Sequence, residues 1–467
     1  MKMVKTNKDV LLNILLLINF LLLHYLFQFL NFYPVEIYKW TVVILLFYSV
    51  LAARKIMRVK WFNSYLIFIG TFALFLCSRI ILDLLGISPL NETTLYIYYD
   101  ISDKTICKSI FLIIISLYSL NIGFFLNKKV ISSSKESEYN FIKPSHDISE
   151  SKVIKKLCVF LLLMFLPGTL LKLWHDFQFV LQHGYLAIYS DFESAPVLYR
   201  FSWLMFTIIF PAILIFYKDK KTVLFWIVVM IILSLMDSLK GSRNGFIRAL
   251  LFCGWFYYKY YNPKDVKIKY IVVSFALLLV FSQILVFWRS GVSVDSSITN
   301  NLLNIFLYQQ GVSFTLIPIY LDFENQIVNP SKFYILYPLV NLFQRFFNPI
   351  FREGNSLGVV ESTLSLDSKI MYAINPDAYL NGSGFGSTYI LEIYALGGVF
   401  GVILLNIFIG WVIFKMEHIF YNTKYIWVSW IWITHLAWMS RGSFFPSLLL
   451  LFLTWLIVVF FKCIQKK

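Results

Sequence analysis

Ten arginines occur in this chain of 467 residues, and eight of them (Arg79, Arg200, Arg243, Arg248, Arg289, Arg345, Arg352 and Arg441) stand where long apolar runs end or in the segments between them. A guanidinium is planar, stays charged at any working pH, and grips a phosphate or carboxylate through two parallel N–H donors. Several have suggestive company. Arg243 shares the tight turn "SLKGSRNG" with Lys240, Arg289 sits in "FWRSG" and Arg441 in "SRGSFF". Arg345 and Arg352 bracket "FFNPIF", seven residues apart, and Arg200 closes the aromatic and acidic stretch 178–199. His435 lies six residues before Arg441 within an apolar run, and Gly382, Gly384 and Gly386 lead into Ser387, Thr388 and Glu392. A helix starting there would offer its free N–H groups to an anion, although the glycines could equally serve close helix packing. Any single arginine could instead snorkel or pair with a carboxylate at a helix end; eight together point to an anionic ligand.

The elements that must position these groups are membrane helices. Hydrophobic residues make up 59% of the chain, charged residues 14% and Phe, Tyr and Trp 19%, which no ordinary soluble domain combines. The net charge of +16 does not indicate nucleic acid, because the basic residues punctuate apolar runs of about 20 residues. The five cysteines, Cys77, Cys107, Cys158, Cys253 and Cys463, have neither disulfide nor metal-ligand spacing and read as small buried hydrophobes. The run 10–30 follows a basic leader, is too long for a signal-peptide core and has no small-x-small cleavage site, so it reads as an uncleaved first span.

Twelve spans are expected, at about 10–30, 38–53, 61–82, 106–126, 157–177, 200–217, 222–239, 245–261, 270–288, 386–412, 425–440 and 443–461. The fold class is therefore all-α and polytopic. Residues 1–288 carry helices one to nine with short loops, 289–385 form a large external loop, and 386–467 carry helices ten to twelve. With both termini cytoplasmic, 26 basic and 8 acidic residues fall inside, against 15 and 17 in outer loops and outward helix ends. That asymmetry is what retention of basic loops requires. Lysine and arginine divide differently: 24 of 31 lysines lie inside, but only Arg54 and Arg58 of the arginines do. Lysine orients the chain, and arginine is held for the outer half.

The segment of about 95 residues after the ninth span is too long for a passive connection. Its apolar runs "NNLLNIFLYQQGVSFTLIPIYLDF" and "KFYILYPLVNLFQRFF", broken at Asn329-Pro330, Asn348-Pro349 and Asn375-Pro376, predict short helices lying on or dipping into the outer face.

Together, "GSRNG" in a short outer turn, "FWRSG" leading to the large loop, "NGSGFGSTYILEIYALGGVFGVI" at a helix entry and "SRGSFF" opening the last helix resemble the Wzy-type oligosaccharide repeat-unit polymerases, from about Leu181 to the end. The resemblance implies a GT-C-like membrane glycosyltransferase of the bacterial inner membrane, working at its periplasmic face in O-antigen biosynthesis. It would move a growing glycan from its undecaprenyl pyrophosphate to the non-reducing end of a new lipid-linked repeat unit. Arg243, Arg289 and Arg441 are the expected contacts to the pyrophosphate. Arg345, Arg352, Arg200, Lys240, Ser387 and Gly384 are expected to bind substrate. Glu392, His435, Asp237 and Asp377 are alternative bases, and Glu392 could equally be the buried partner of an arginine. No cofactor or metal is expected, since fixed arginines can replace an ion and no DxD motif is present. Lipid-linked oligosaccharides and membrane lipid are the expected partners, together with a chain-length regulator and a flippase; nucleic acid is not. A flippase of the same lipid and a ligase attaching finished glycan are the rival functions. Against the flippase, the halves show no internal repeat and the arginines gather at one face.

Overall fold

The computed structural model describes residues 8–93, 99–126, 152–184, 195–217, 219–261, 265–290, 302–352, 355–384, 386–420, 426–447, 450–456 and 459. Four long helices open the chain: α1 (Lys8–Phe29), α2 (Val35–Lys55), α3 (Ser64–Leu84, with a π turn at Ala73–Cys77) and α4 (Asp103–Phe125). A two-residue antiparallel pair, β1 (Glu92–Thr93) and β2 (Tyr99–Asp100), joins α3 to α4. There follow α5 (Lys152–His183), α6 (Val197–Phe216), α7 (Lys220–Ser238), α8 (Asn244–Tyr260) and α9 (Ile268–Ser290). Shorter helices come next: α10 (Leu302–Gln310), α11 (Val312–Phe323), α12 (Tyr337–Phe347), α13 (Leu357–Ser362), α14 (Leu366–Ile374) and α15 (Pro376–Leu380). The chain then returns to α16 (Tyr389–Ile419) and α17 (Ile426–Leu436).

Among the described residues, eight helices are long and apolar enough to cross a membrane, or nine if the bent pair α10 and α11 counts as one span. The eight fall on segments expected to span. The expected spans at 245–261, 270–288 and 425–440 coincide with α8, α9 and the shorter α17, and of 443–461 the described residues are 443–447, 450–456 and 459, helical over 450–456. Local chemistry sets the starts. Asn63, Ser102 and Asp219 each accept a backbone N–H two or three residues on, satisfying a donor that the first helical turn leaves over. α5 runs to His183, taking up the first part of the loop expected at 178–199. Its partner is α6, and Ser202 of α6 fits at Gly168, where a Cβ would come within 2.3 Å of its Oγ.

Two apolar cores result. One gathers α1 to α4 with α11, α14 and α16, the other α5 to α8 with α17. α4 is the axis of the first: apolar on every side and buried along almost its whole length, it can only be an interior helix. It meets α16 backbone to backbone, for a Cβ on Gly123 would lie 1.9 Å from the Ile407 carbonyl oxygen and one on Gly410 2.2 Å from that of Leu120. Where lipid surrounds a bundle, small residues that permit such approach are a principal source of helix association.

Buried polar groups pin these helices. Asn121 of α4 donates to Ser49 of α2 at 3.0 Å and accepts from the Tyr65 hydroxyl of α3. At the end expected to be cytoplasmic, the Glu417 carboxylate takes Lys259 at 2.6 Å, the Trp255 indole at 3.2 Å and the Ser64 N–H at 3.1 Å, tying α16 to α8 and α3. Arg54 and Asp265 form an ion pair at the same end.

Of the two placements expected for the helices of the 289–385 segment, lying on or dipping into the outer face, α11 has the second. α11 does not lie along a bundle end: Ser313 to Tyr320 are all buried, packed against α4 and the π turn of α3. A helix apolar on every face has no side to offer water, and this one is absorbed into the core. Further along, Lys369 of α14 is buried and donates to the carbonyls of Val328, Asn329 and Val360 at 2.8, 3.1 and 2.9 Å, knitting the segment together. Burial holds its pKa below the ordinary lysine value.

Candidate functional site

The turn 439–446 after α17 is the centre of the arrangement. It starts with one 3-10 turn, Met439–Arg441, and is held from both sides by side chains singled out in the sequence. Glu392, 2% exposed on the first turn of α16, accepts the Phe444 N–H at 2.8 Å and lies 3.5 Å from the Ser387 hydroxyl. His435 of α17 bonds the Phe444 carbonyl through Nε2 at 2.9 Å, which assigns the ring proton to that nitrogen. Glu392 and His435 thus grip both backbone polar groups of one residue, Phe444. Gly386, in the left-handed region at φ +82°, brings the entry of α16 alongside the Arg441 carbonyl: a Cβ there would stand 3.7 Å from its oxygen.

So positioned, the Arg441 guanidinium donates to the Gln310 side-chain oxygen at 3.1 Å and lies over Phe75 at 5.6 Å and Trp438 at 5.9 Å. Phe75 belongs to the π turn of α3, a local widening that recurs at functional sites. One turn on, Arg79 is 4% exposed; its Nε donates to the Tyr308 carbonyl at 3.3 Å and its guanidinium stacks 3.7 Å from the Tyr308 ring centroid. The bend between α10 and α11 falls at Gly311 for a visible reason, since a Cβ there would run within 2.5 Å of Arg79 Cγ and 2.6 Å of Ser78 Oγ. From the other core, Arg248 of α8 reaches Trp438, its guanidinium 5.0 Å from the ring.

Arg441 and Arg248 therefore share the Trp438 ring, and Arg79 joins them through the α10–α11 bend, where Arg441 holds Gln310 and Arg79 packs at Gly311. Arg79 Nη2, Arg248 Nε and Gln310 Nε2 are buried without a hydrogen-bond partner among the described residues. A buried cation with an unused donor is costly, and the cost is recovered when an anion fills the space. Oxygen-rich anions suit such planar donors, phosphate above all.

Other sequence candidates lie elsewhere. Lys240 belongs to a buried ion-pair network: it meets Asp237 at 2.8 Å and Asp176 at 3.6 Å, while Lys172 meets the same two carboxylates at 2.8 and 2.9 Å. Asp237, a candidate base, is thereby held by two ammonium groups. Arg243 sits half-buried at the start of α8, and Gly241 supplies the turn before it at φ +99°. Arg200 is exposed on the first turn of α6, and Asp377 is exposed on α15. Gly384 is exposed, with open space where a Cβ would go. The side chains of Arg289, Arg345 and Arg352 lie outside the described residues. Arg79, Arg248 and Gln310 were not among the sequence candidates for the site. The two arginines were visible as cations inside apolar runs, the signal that should have carried more weight; Gln310 gave none.

A polytopic helical membrane protein that collects arginines beside a broken span is the class these features define. The family model for the O-antigen polysaccharide polymerase Wzy matches residues 11–466, nearly the whole chain, and the protein belongs to that family. Its activity is accordingly of the glycosyltransferase-like polymerase kind. No curated protein and no solved structure matches it.

Proposed function

We propose that the protein polymerises undecaprenyl-pyrophosphate-linked repeat units at the outer face of the inner membrane, with Arg441, Arg79 and Arg248 receiving the pyrophosphate of the donor. In this reading the bundle has twelve spans with both termini cytoplasmic and a GT-C-like role. The observation that carries the reading is the buried unused N–H capacity of Arg79 and Arg248 beside Arg441. The acceptor hydroxyl oxygen attacks the anomeric carbon of the growing chain as the bond from that carbon to the pyrophosphate oxygen breaks. The hydroxyl proton is released to water, and undecaprenyl pyrophosphate leaves. Charge accumulates on the pyrophosphate as the sugar becomes oxocarbenium-like. Cations fixed in advance stabilise that charge more than the ground state.

Arg243, Arg289, Arg345, Arg352 and Arg200 are proposed to guide the two lipid-linked glycans toward this centre. Ser387 and Gly384 line the approach at the entry of α16. A chain-length regulator and a flippase complete the assembly in this reading.

Replacing Arg441, Arg79 and Arg248 singly by Ala and by Lys, then resolving surface polysaccharide on a gel, tests the assignment. Loss of one such donor costs about 10²–10³-fold in turnover. The Ala variants should therefore lose the ladder and leave single repeat units attached, and Lys should restore it only in part, having no second parallel donor. Ladders of wild-type length in all three Ala variants would sink the assignment, and loss of every repeat would indicate a flippase or ligase instead.

A further inference from the structure

A cavity of about 330 Å³ opens between α1, α4 and α16, away from the arginines. Lys104 and Lys108 line it, four residues apart and so on one face of α4. Its polar wall includes Gln28 and Tyr33, and its aromatic wall is fixed: the His24 ring stacks on Phe111 at 3.6 Å, bonds the Tyr38 hydroxyl at 2.7 Å through Nδ1, and meets Gln28 at 3.1 Å through Nε2. Among the described residues no carboxylate lines the cavity and neither lysine has a carboxylate partner; Lys108 rests 5.6 Å above the Tyr394 ring.

α16 adds an independent feature. It is broken at Gly397 (φ −147°, ψ 22°) and Gly398 (φ 57°, ψ −149°), and Val399, which starts the second half, lines the cavity. The first N–H groups of any helix lack partners within it, and a helix broken at membrane depth places such an end beside its ligand. Glu392 and Tyr394 are two residues apart, so they point to nearly opposite sides of the first half of α16. Glu392 serves the Arg441 turn and Tyr394 meets Lys108. The helix thus separates two basic sites.

We propose that this cavity is a second anion site, holding the phosphate headgroup of a lipid between Lys104, Lys108 and the start of the second half of α16, with the lipid chain running along α1. Its volume suits a headgroup, and the exposed leucines of α1 offer the chain an apolar wall. Two sources share this chemistry: an anionic phospholipid of the bilayer, and an isoprenoid phosphate of the kind that carries a second substrate. The site goes beyond the polymerase reading and stands without it.

The test uses the full-length protein in detergent, with dioctanoyl phosphatidylglycerol and farnesyl phosphate titrated separately by native mass spectrometry, and dioctanoyl phosphatidylcholine as the zwitterionic control. Wild type should bind one of the two anionic probes at least tenfold more tightly than phosphatidylcholine. The double variant Lys104→Gln, Lys108→Gln should bind one anionic probe fewer per chain at unchanged Tm, while the combined variant Arg441→Lys, Arg79→Lys, Arg248→Lys keeps the lysine-dependent one. Preference for phosphatidylglycerol identifies a bilayer lipid, and preference for farnesyl phosphate identifies a substrate carrier. Equal binding of anionic and zwitterionic probes, or an unchanged number of bound anionic probes in the double lysine variant, would overturn the proposal.

Discussion

At the scale of single residues, Glu392 and His435 show how the same side chain reads differently once its partners are known. Each is an ionisable group inside a membrane segment, which by default suggests chemistry. Both instead spend hydrogen bonds on the backbone of Phe444, Glu392 on its N–H at 2.8 Å and His435 on its carbonyl at 2.9 Å, and so position the turn that presents Arg441. An amide oxygen can accept the Phe444 N–H as a carboxylate does. Glu392→Gln should therefore retain polymerisation within about tenfold of wild type in a membrane assay with lipid-linked repeat units, and Glu392→Ala should lose far more. General-base removal costs about 10²–10⁴-fold. A loss of that size in the Gln variant, with normal folding, would return Glu392 to the list of bases.

The elements divide into those legible from sequence and those set by packing. Long apolar runs located all eight candidate spans because hydropathy acts through composition alone. The run at 302–325 was equally visible, but whether it covered a bundle end or entered the core depended on Gly311 meeting Ser78 and Arg79, a contact between distant parts of the chain that no local pattern encodes. The break of α16 at Gly397-Gly398 is likewise a matter of backbone geometry that the apolar run 386–412 did not announce. Glycines in this chain therefore predict different outcomes. Gly410→Ala drives a Cβ into the Leu120 carbonyl and must force α16 from α4, an overpacking that costs about 1–3 kcal/mol. Gly384→Ala meets nothing. Fluorescence-detected thermal unfolding in detergent should show a clear fall in Tm for the first and no change for the second, and the reverse order would contradict the packing of α4 on α16.

For the molecule as a whole, the unequal sorting of lysine and arginine predicts an orientation that the packing makes physically coherent. Lys259 with Glu417 and Arg54 with Asp265 lock helix ends at one pole of the bundle, where ionic pairs need only satisfy one another. At the other pole Arg79 and Arg248 retain unused donors, an arrangement that makes sense where an anionic substrate arrives and not where cytoplasmic loops merely anchor the chain. Four of the five cysteines are buried, so single introduced thiols can report sidedness against a Cys463→Ser background. Arg200 and Arg58 are both exposed and are assigned to opposite faces. In intact spheroplasts, a membrane-impermeant maleimide should label Arg200→Cys at once and Arg58→Cys only after lysis. Labelling in the opposite order would place the arginine cluster at the cytoplasmic face and would remove the topological basis of the proposed mechanism.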